Sequence, residues 1–310
     1  MTQSPIFVYG ALRSGTTLLH LMLGGHRGIH SASEADYLFD HITPDASGPG
    51  GWRYDRAAVA DDWIFRDIAK LELPDGQGTD LTAAIVDQLM ARAPDQRLSV
   101  NLHRNAPLAH KIFPDAKFIH LLRDPRDVAR SSVGMGWTGN SFYGVDHWIA
   151  TEQAWAEANI PDDQVFEIRF EDLMQDLETG LSRMCDFLGL PFDPAMLDYH
   201  ENSTYGPPDP SIAQKWKTKA SVREIALIEG RVGELLTACG YEPNGAPATP
   251  GMLEALSLTV GHRANRWKYN INRYGPGLFF THHIARVLRL RQMAETLAAR
   301  KAAIDLKHLK

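Results

Sequence analysis

Gly10-Ala11-Leu12-Arg13-Ser14-Gly15-Thr16-Thr17 gathers two glycines, hydroxyls at Ser14, Thr16 and Thr17, and the cation Arg13 in one short stretch, groups suited to gripping an anion. The apolar run Ile6 to Tyr9 leads into it and the pattern Leu18-Leu19-His20-Leu21-Met22-Leu23 leads out, so a strand, a turn and a helix are expected. The first amides of such a helix have no intrahelical acceptor, and the helix dipole adds to their pull on an anion. The spacing of Gly10 and Gly15 fits the nucleotide pattern G-x-x-x-x-G-K-[ST], but Thr16 stands where that pattern has its lysine. The turn thus lacks the group that serves the β- and γ-phosphates of a nucleoside triphosphate.

A second block of the same character is Lys117-Phe118-Ile119-His120-Leu121-Leu122-Arg123-Asp124-Pro125-Arg126-Asp127-Val128-Ala129-Arg130-Ser131. Its apolar run predicts a buried strand, Asp124-Pro125 breaks it, and a helix is expected from Asp127 onward, which leaves Arg123 at the strand's carboxyl end. Ligands bind at that edge in open α/β sheets. A guanidinium offers a planar fork to phosphate oxygens, and Ser131 lies one or two helical turns further on. The bland alternative is that Arg123 and Arg126 pair with Asp124 and Asp127 as a solvated cluster.

Together the two blocks resemble the donor site of the sulfotransferase superfamily, whose 5′-phosphosulfate loop reads [K/R]-S-G-T-T. The closest look is to tyrosylprotein sulfotransferases and to bacterial sulfotransferases of that type. The likeness continues through Phe170-Glu171-Asp172-Leu173, Cys185 to Leu190, Lys215-Trp216 and Gly240-Tyr241-Glu242-Pro243, about four-fifths of the chain. It implies transfer of a sulfuryl group from 3′-phosphoadenosine 5′-phosphosulfate (PAPS) to an acceptor hydroxyl or amine, by in-line displacement and with no metal expected. Arg13 and the backbone from Ser14 through Gly15 and Thr16 to Thr17 would hold the 5′-phosphate, Arg123 and Ser131 the 3′-phosphate. Lys215 aligns with a donor-contacting lysine, with Lys217 and Lys219 as competitors, and Ser203 with a serine of the same site.

Two residues compete for the general base. Glu34 stands where the tyrosylprotein enzymes carry their glutamate, and partial burial would raise its pKa towards the working range. His103 follows a short strand, near where cytosolic sulfotransferases place a histidine. The chain departs from the family in two places. The segment Asn101 to Arg104 lacks the lysine that supports the bridging oxygen, leaving His103 or Arg104 to replace it, and Phe170 stands where many relatives have a tyrosine. Two other functions are weighed against transfer: a magnesium-dependent P-loop kinase or NTPase, with Asp172 as the metal-holding candidate, and a non-catalytic nucleotide-binding adaptor acting through a basic tail.

The elements that must position these groups alternate strand and helix: strands at Ile6 to Tyr9, Leu98 to Leu102, Phe118 to Leu122 and Val165 to Phe170, with helices between and after them. An α/β fold follows, a P-loop-like parallel sheet flanked by helices, with a C-terminal helical extension. The expected division is a main domain over 1–245 and a basic helical extension over 246–310. With 310 residues, 44% of them hydrophobic, the chain can bury a full core. Cys185 and Cys239 fall in helical patterns and read as free thiols, consistent with a reducing compartment. The first strand begins within six residues of Met1, too soon for a signal peptide, so a cytoplasmic location is expected.

Net charge is −6, yet from Gly261 onward eleven basic residues, Arg263 to Lys310, face only Glu295 and Asp305. Such a tail suits a helix packed on the domain with a solvated face, a homodimer-forming arm, or a surface for acidic partners or anionic lipid. It carries no nucleic-acid module. The acceptor is left open, with the loops Pro44 to Trp52 and Gly134 to Gly144 as the segments that would read it.

Overall fold

The computed structural model describes residues 4–203 and 205–308, so the first three residues and Lys310 of the basic tail lie outside it. Its strands are β1 (Ile6–Tyr9), β2 (Ile29–Glu34), β3 (Ile42–Pro44), β4 (Trp52–Tyr54), β5 (Arg97–Leu102), β6 (Lys117–Leu122) and β7 (Val165–Arg169). Five of them form one sheet in the order β2-β5-β1-β6-β7, every pair parallel, while β3 and β4 make a separate antiparallel hairpin.

The central strands are near-continuous apolar runs because both sheet faces are covered. On β1, Ile6 and Val8 join Leu19, Met22 and Leu181 on one face, and Phe7 and Tyr9 join Phe39, Leu81 and Phe118 on the other. This is the two-residue alternation of a pleated strand. β1 pairs with β5 through Ile6↔Ser99 and with β6 through Ile6↔Lys117. The chain leaves β1 at the point where the strand order reverses, which places a crevice at its carboxyl end.

β2 was not among the expected strands. Its sequence, Ile-His-Ser-Ala-Ser-Glu, is short of large apolar residues because it lies at the sheet edge, where only Ile29 is fully buried. Glu34 accordingly ends a strand and does not begin a helix. Beyond the sheet, the helix Pro125–Gly134 starts two residues before the expected Asp127, because Pro125 suits its first turn and the Asp124 carboxylate caps it by accepting from the Arg126 amide.

Three C-terminal helices, Met252–Tyr274, Pro276–Val287 and Arg291–His308, complete the chain. The first has no fully buried residue and is moored to the Gly134 to Gly144 loop by polar contacts. Asn140 Nδ2 donates to the Leu258 carbonyl at 2.7 Å, Asn265 Nδ2 to the Gly139 carbonyl at 2.9 Å, and the Gly139 amide to His262 Nδ1 at 3.2 Å. No helix among the described residues is long and apolar enough to cross a membrane. Both cysteines are free, and burial pushes the Cys185 thiol up to about 11 and that of Cys239 to about 12.

Candidate active site

The turn after β1 bends tightly because Arg13 and Gly15 both take positive φ, +74° and +101°. Gly15 also lies against Phe170, whose ring a Cβ would meet at 2.5 Å, and a Cβ at Gly10 would fall 2.5 Å from the Leu121 carbonyl oxygen. These two glycines therefore set how closely the turn sits over β6 and the segment after β7. The helix Thr16–Gly24 begins at Gly15 with neither a side-chain cap nor an acidic residue in its first turn, so its leading amides are left for an anion.

Arg13 reaches across to the helix after β6, donating from Nε to Ser131 Oγ at 3.0 Å, with its guanidinium 5.7 Å from the Trp137 ring centre. Ser131 thus accepts at this point of the site. Arg123 supports the turn from below: Nη1 donates to the Arg13 carbonyl and Nη2 to the Ile212 carbonyl, each at 2.9 Å, and the group stacks 4.4 Å over Phe170. Its Nε is buried without a partner, as is the hydroxyl of Ser14. Burial lowers the Arg123 pKa from its ordinary value, while Asp127 and Glu171 pull the other way.

Arg126, three residues on, keeps the Asp124 pairing of the bland alternative, but inside the protein and not in a solvated cluster with Asp127. It is buried, paired with Asp124 and with Glu229 at 2.7 Å each, and lies over the Trp216 ring, so it turns away from the turn. Trp216 is held in turn by Asp127, which accepts from its amide, and by Asp124, which accepts from its indole. That clamp brings Lys215 and Lys219 to the site, whereas Lys217 bonds Gln214 instead.

Arg13, Gly15, Thr16, Thr17, Arg123 and Ser131 converge on a cavity of about 460 Å³. Phe170, Arg130, Asp127, Tyr205, Lys215 and Lys219 close its other walls. Arg130 and Asp127 were missed in the sequence although they share a helix with Ser131. The spacing of Asp127 from Arg130 and Ser131, three and four residues, was the available signal. Burial raises the Asp127 pKa, and its Oδ2 has no partner. Ser203 is not among the lining residues.

Neither base candidate lines this cavity. Glu34 sits half-buried at the end of β2, opposite Asn101 of β5 and just past a shift in register. No side-chain hydrogen bond to it is found among the described residues. His103 is 3% exposed and enclosed, its Nδ1 donating to Asp36 at 2.8 Å and its Nε2 3.2 Å from Thr16 Oγ1. Arg104 points elsewhere, bound through two nitrogens to Asp40. Of the two residues considered as replacements for the absent lysine, His103 is the one that touches the turn.

Residues 5–194 match the model of a family described as the sulfotransferase family. A putative protein-tyrosine sulfotransferase of Caenorhabditis briggsae is 26% identical over 208 residues, 63% of this chain and 69% of its own length. Protein-tyrosine sulfotransferase 1 of Danio rerio is 22% identical over 296 residues, 84% of this chain and 79% of its own. Among solved structures, the sulfotransferase domain from the curacin biosynthetic pathway superposes with a TM-score of 0.55 at 22% identity, covering 77% of this chain and 98% of that domain. At that identity the likeness concerns the fold.

Proposed function

The chain belongs to the sulfotransferase family and is an enzyme of sulfuryl transfer with PAPS as donor; from that premise we propose that Arg13, Arg123 and the turn between them and Thr17 form its donor site, and that Glu34 is its base. The observation that carries this reading is convergence. Residues from β1's turn, the end of β6, the following helix and the segment at Lys215 meet around one cavity. The unpartnered Arg123 Nε and the glycine cradle against Phe170 fit a phosphorylated ligand, whereas Ser14 is fully buried and is not among the lining residues.

In this reading Arg13 and the amides from Ser14 to Thr17 bind the 5′-phosphate, and Arg123, Ser131 and Lys215 bind the 3′-phosphate. PAPS supplies a sulfuryl group on a good leaving phosphate. As the acceptor oxygen bonds to sulfur, the bond from sulfur to the bridging oxygen breaks, and its electron pair stays with the phosphate. Arg13 and the helix start stabilise the charge that collects there. Glu34 takes the acceptor's proton. It is preferred to His103 because it is half-buried and unengaged, whereas His103 is enclosed by Asp36 and Thr16.

Transfer of radiolabelled sulfate from PAPS to a panel of phenols, tyrosine peptides and sugars tests the assignment. Glu34→Gln is expected to lower kcat by about 10²–10⁴-fold with affinity for adenosine 3′,5′-bisphosphate kept. An unchanged kcat would remove Glu34 from the mechanism, and a loss of bisphosphate binding would make it part of the donor site instead.

A further inference from the structure

Asp36, the His103 ring and the Thr16 hydroxyl form a buried chain to which the proposed donor site and base give no part. Asp36 is 4% exposed, His103 3% and Thr16 3%, and they come from three separate segments: the 3₁₀ turn Asp36–Leu38 after β2, the end of β5, and the first residue of the helix after the phosphate turn. The Asp36 carboxylate accepts twice from His103, from the backbone amide at 2.9 Å and from Nδ1 at 2.8 Å. The His103 carbonyl accepts from Thr151 Oγ1 at 2.8 Å, which fixes the backbone as well. Nδ1 therefore carries a proton, and Nε2 is aimed at Thr16 Oγ1 at 3.2 Å. Of the three residues, Thr16 is the one that lines the cavity.

The direction of the last hydrogen bond decides what the cavity meets. With a neutral imidazole, Thr16 donates inward to Nε2 and presents lone pairs to the cavity. With an imidazolium, Nε2–H donates to Thr16 Oγ1, and the hydroxyl proton turns outward, where it can bond an anion. We propose that Asp36 and His103 are positioning residues for the donor phosphate: anion binding selects the imidazolium, so that donor binding at Thr16 takes up a proton at His103. The inference rests on the donor-site reading given above.

The carboxylate is suited to that task. Burial alone would raise the Asp36 pKa, but its bonds from His103 and the nearby Arg104 outweigh this and hold it below the usual carboxylate range, so a fixed negative charge faces Nδ1. Other charged and titratable groups surround these three residues, among them Glu34, which acts on Arg104, and Glu152, which acts on Tyr9. Arg104 is bonded to Asp40, Tyr9 donates its hydroxyl proton to the Thr151 carbonyl, and burial raises its pKa. His147, on the helix Asp146–Ala158, feels both His103 and Arg13 and is lowered by burial first. Its Nε2 lies 2.9 Å from the Leu12 carbonyl.

The test is calorimetric titration with adenosine 3′,5′-bisphosphate at constant pH in buffers of differing ionisation enthalpy, which counts protons taken up on binding. Wild type is expected to take up more protons than His103→Gln at pH 7 to 8, the difference removing the ligand's own contribution. Asp36→Asn, which keeps the shape and removes the charge, should lose the same uptake and bind roughly tenfold more weakly, while Thr16→Ser keeps both and Thr16→Val loses both. Circular dichroism establishes that each variant is folded. Equal proton uptake in wild type and folded His103→Gln, or full uptake in Thr16→Val, overturns the inference and leaves the donor site standing. Failure of wild type to bind the bisphosphate overturns both.

Discussion

Around the phosphate turn, Ser14, Thr16, His103 and Asp36 are at most 4% exposed, whereas Met252 and Leu253, at the start of the C-terminal extension, are 88% and 81% exposed. The turn is held from below by Arg123 and from the side by Ser131 and His103, each contact arriving from a different segment. The extension touches the rest of the chain along one loop, through Asn140, Tyr143 and His262, and through an ion pair between Arg223 and Glu254. In the first region a single side chain serves packing and backbone position at once, and in the proposed donor site the ligand as well, so substitution should disturb all of them. In the second, contacts are separable, and substitution should be absorbed locally.

The contrast is sharpest for bulk. Trp148 is fully buried, and its indole donates to the Arg123 carbonyl at 2.9 Å, so it packs the core and holds the strand end that carries the site. Trp148→Ala should cost about 3–5 kcal/mol of unfolding free energy in urea. Leu253→Ser, in the extension, should stay within about 0.5 kcal/mol. Comparable losses at the two positions would erase the distinction.

Next in size is Arg123→Ala, which removes a charged donor from the ligand and two bonds from the backbone around it. Each charge-assisted bond is worth about 1.5–3 kcal/mol, so bisphosphate affinity should fall by roughly a hundredfold or more. Leu253→Ser, titrated alongside, should bind as wild type does.

A smaller effect depends on pH. His120 of β6 is buried between Glu152 at 2.9 Å and Glu167 at 3.0 Å. Burial lowers its pKa, but the two carboxylates outweigh burial and bring it above the ordinary value. A raised folded pKa contributes stability that is complete below the unfolded value of about 6.5 and is lost as pH rises through the folded one. His120→Gln should therefore be more destabilising at pH 6 than at pH 9 in denaturant titrations. A deficit that grows with pH would contradict this account of the core.

The smallest change is expected from His262→Ala, which frees the loop bearing Trp137 from the extension. A loss of about 1 kcal/mol should accompany a higher KM for acceptor, with bisphosphate affinity unaltered. A weakened bisphosphate would show that the extension reaches the donor site after all.

The residues proposed for the donor, most of which line one cavity, were legible because their signals are local. Gly10 to Thr17 and Phe118 to Ser131 each carry strand, break and helix within one stretch, and local patterning is what sequence periodicity records. Long-range pairing left no such trace. Asp36 meets His103 across 67 positions, and Arg126 is drawn away from the site by Glu229, 103 positions on. β2 escaped because an edge strand needs few apolar residues. The helical character of the tail was expected, but its mooring at His262 depends on a loop far from it in sequence.

Thermal stabilisation by adenosine 3′,5′-bisphosphate in EDTA, beside adenosine 5′-monophosphate and beside ATP with magnesium, tests the donor site most directly when run on wild type and on Arg123→Ala. Ligand present at a hundred times its Kd adds about 2.7 kcal/mol to the folded state, which a melting curve resolves. The bisphosphate should stabilise wild type without metal, the monophosphate much less, and neither should shift the variant. Stabilisation by ATP with magnesium alone would contradict the account and give the turn to a triphosphate.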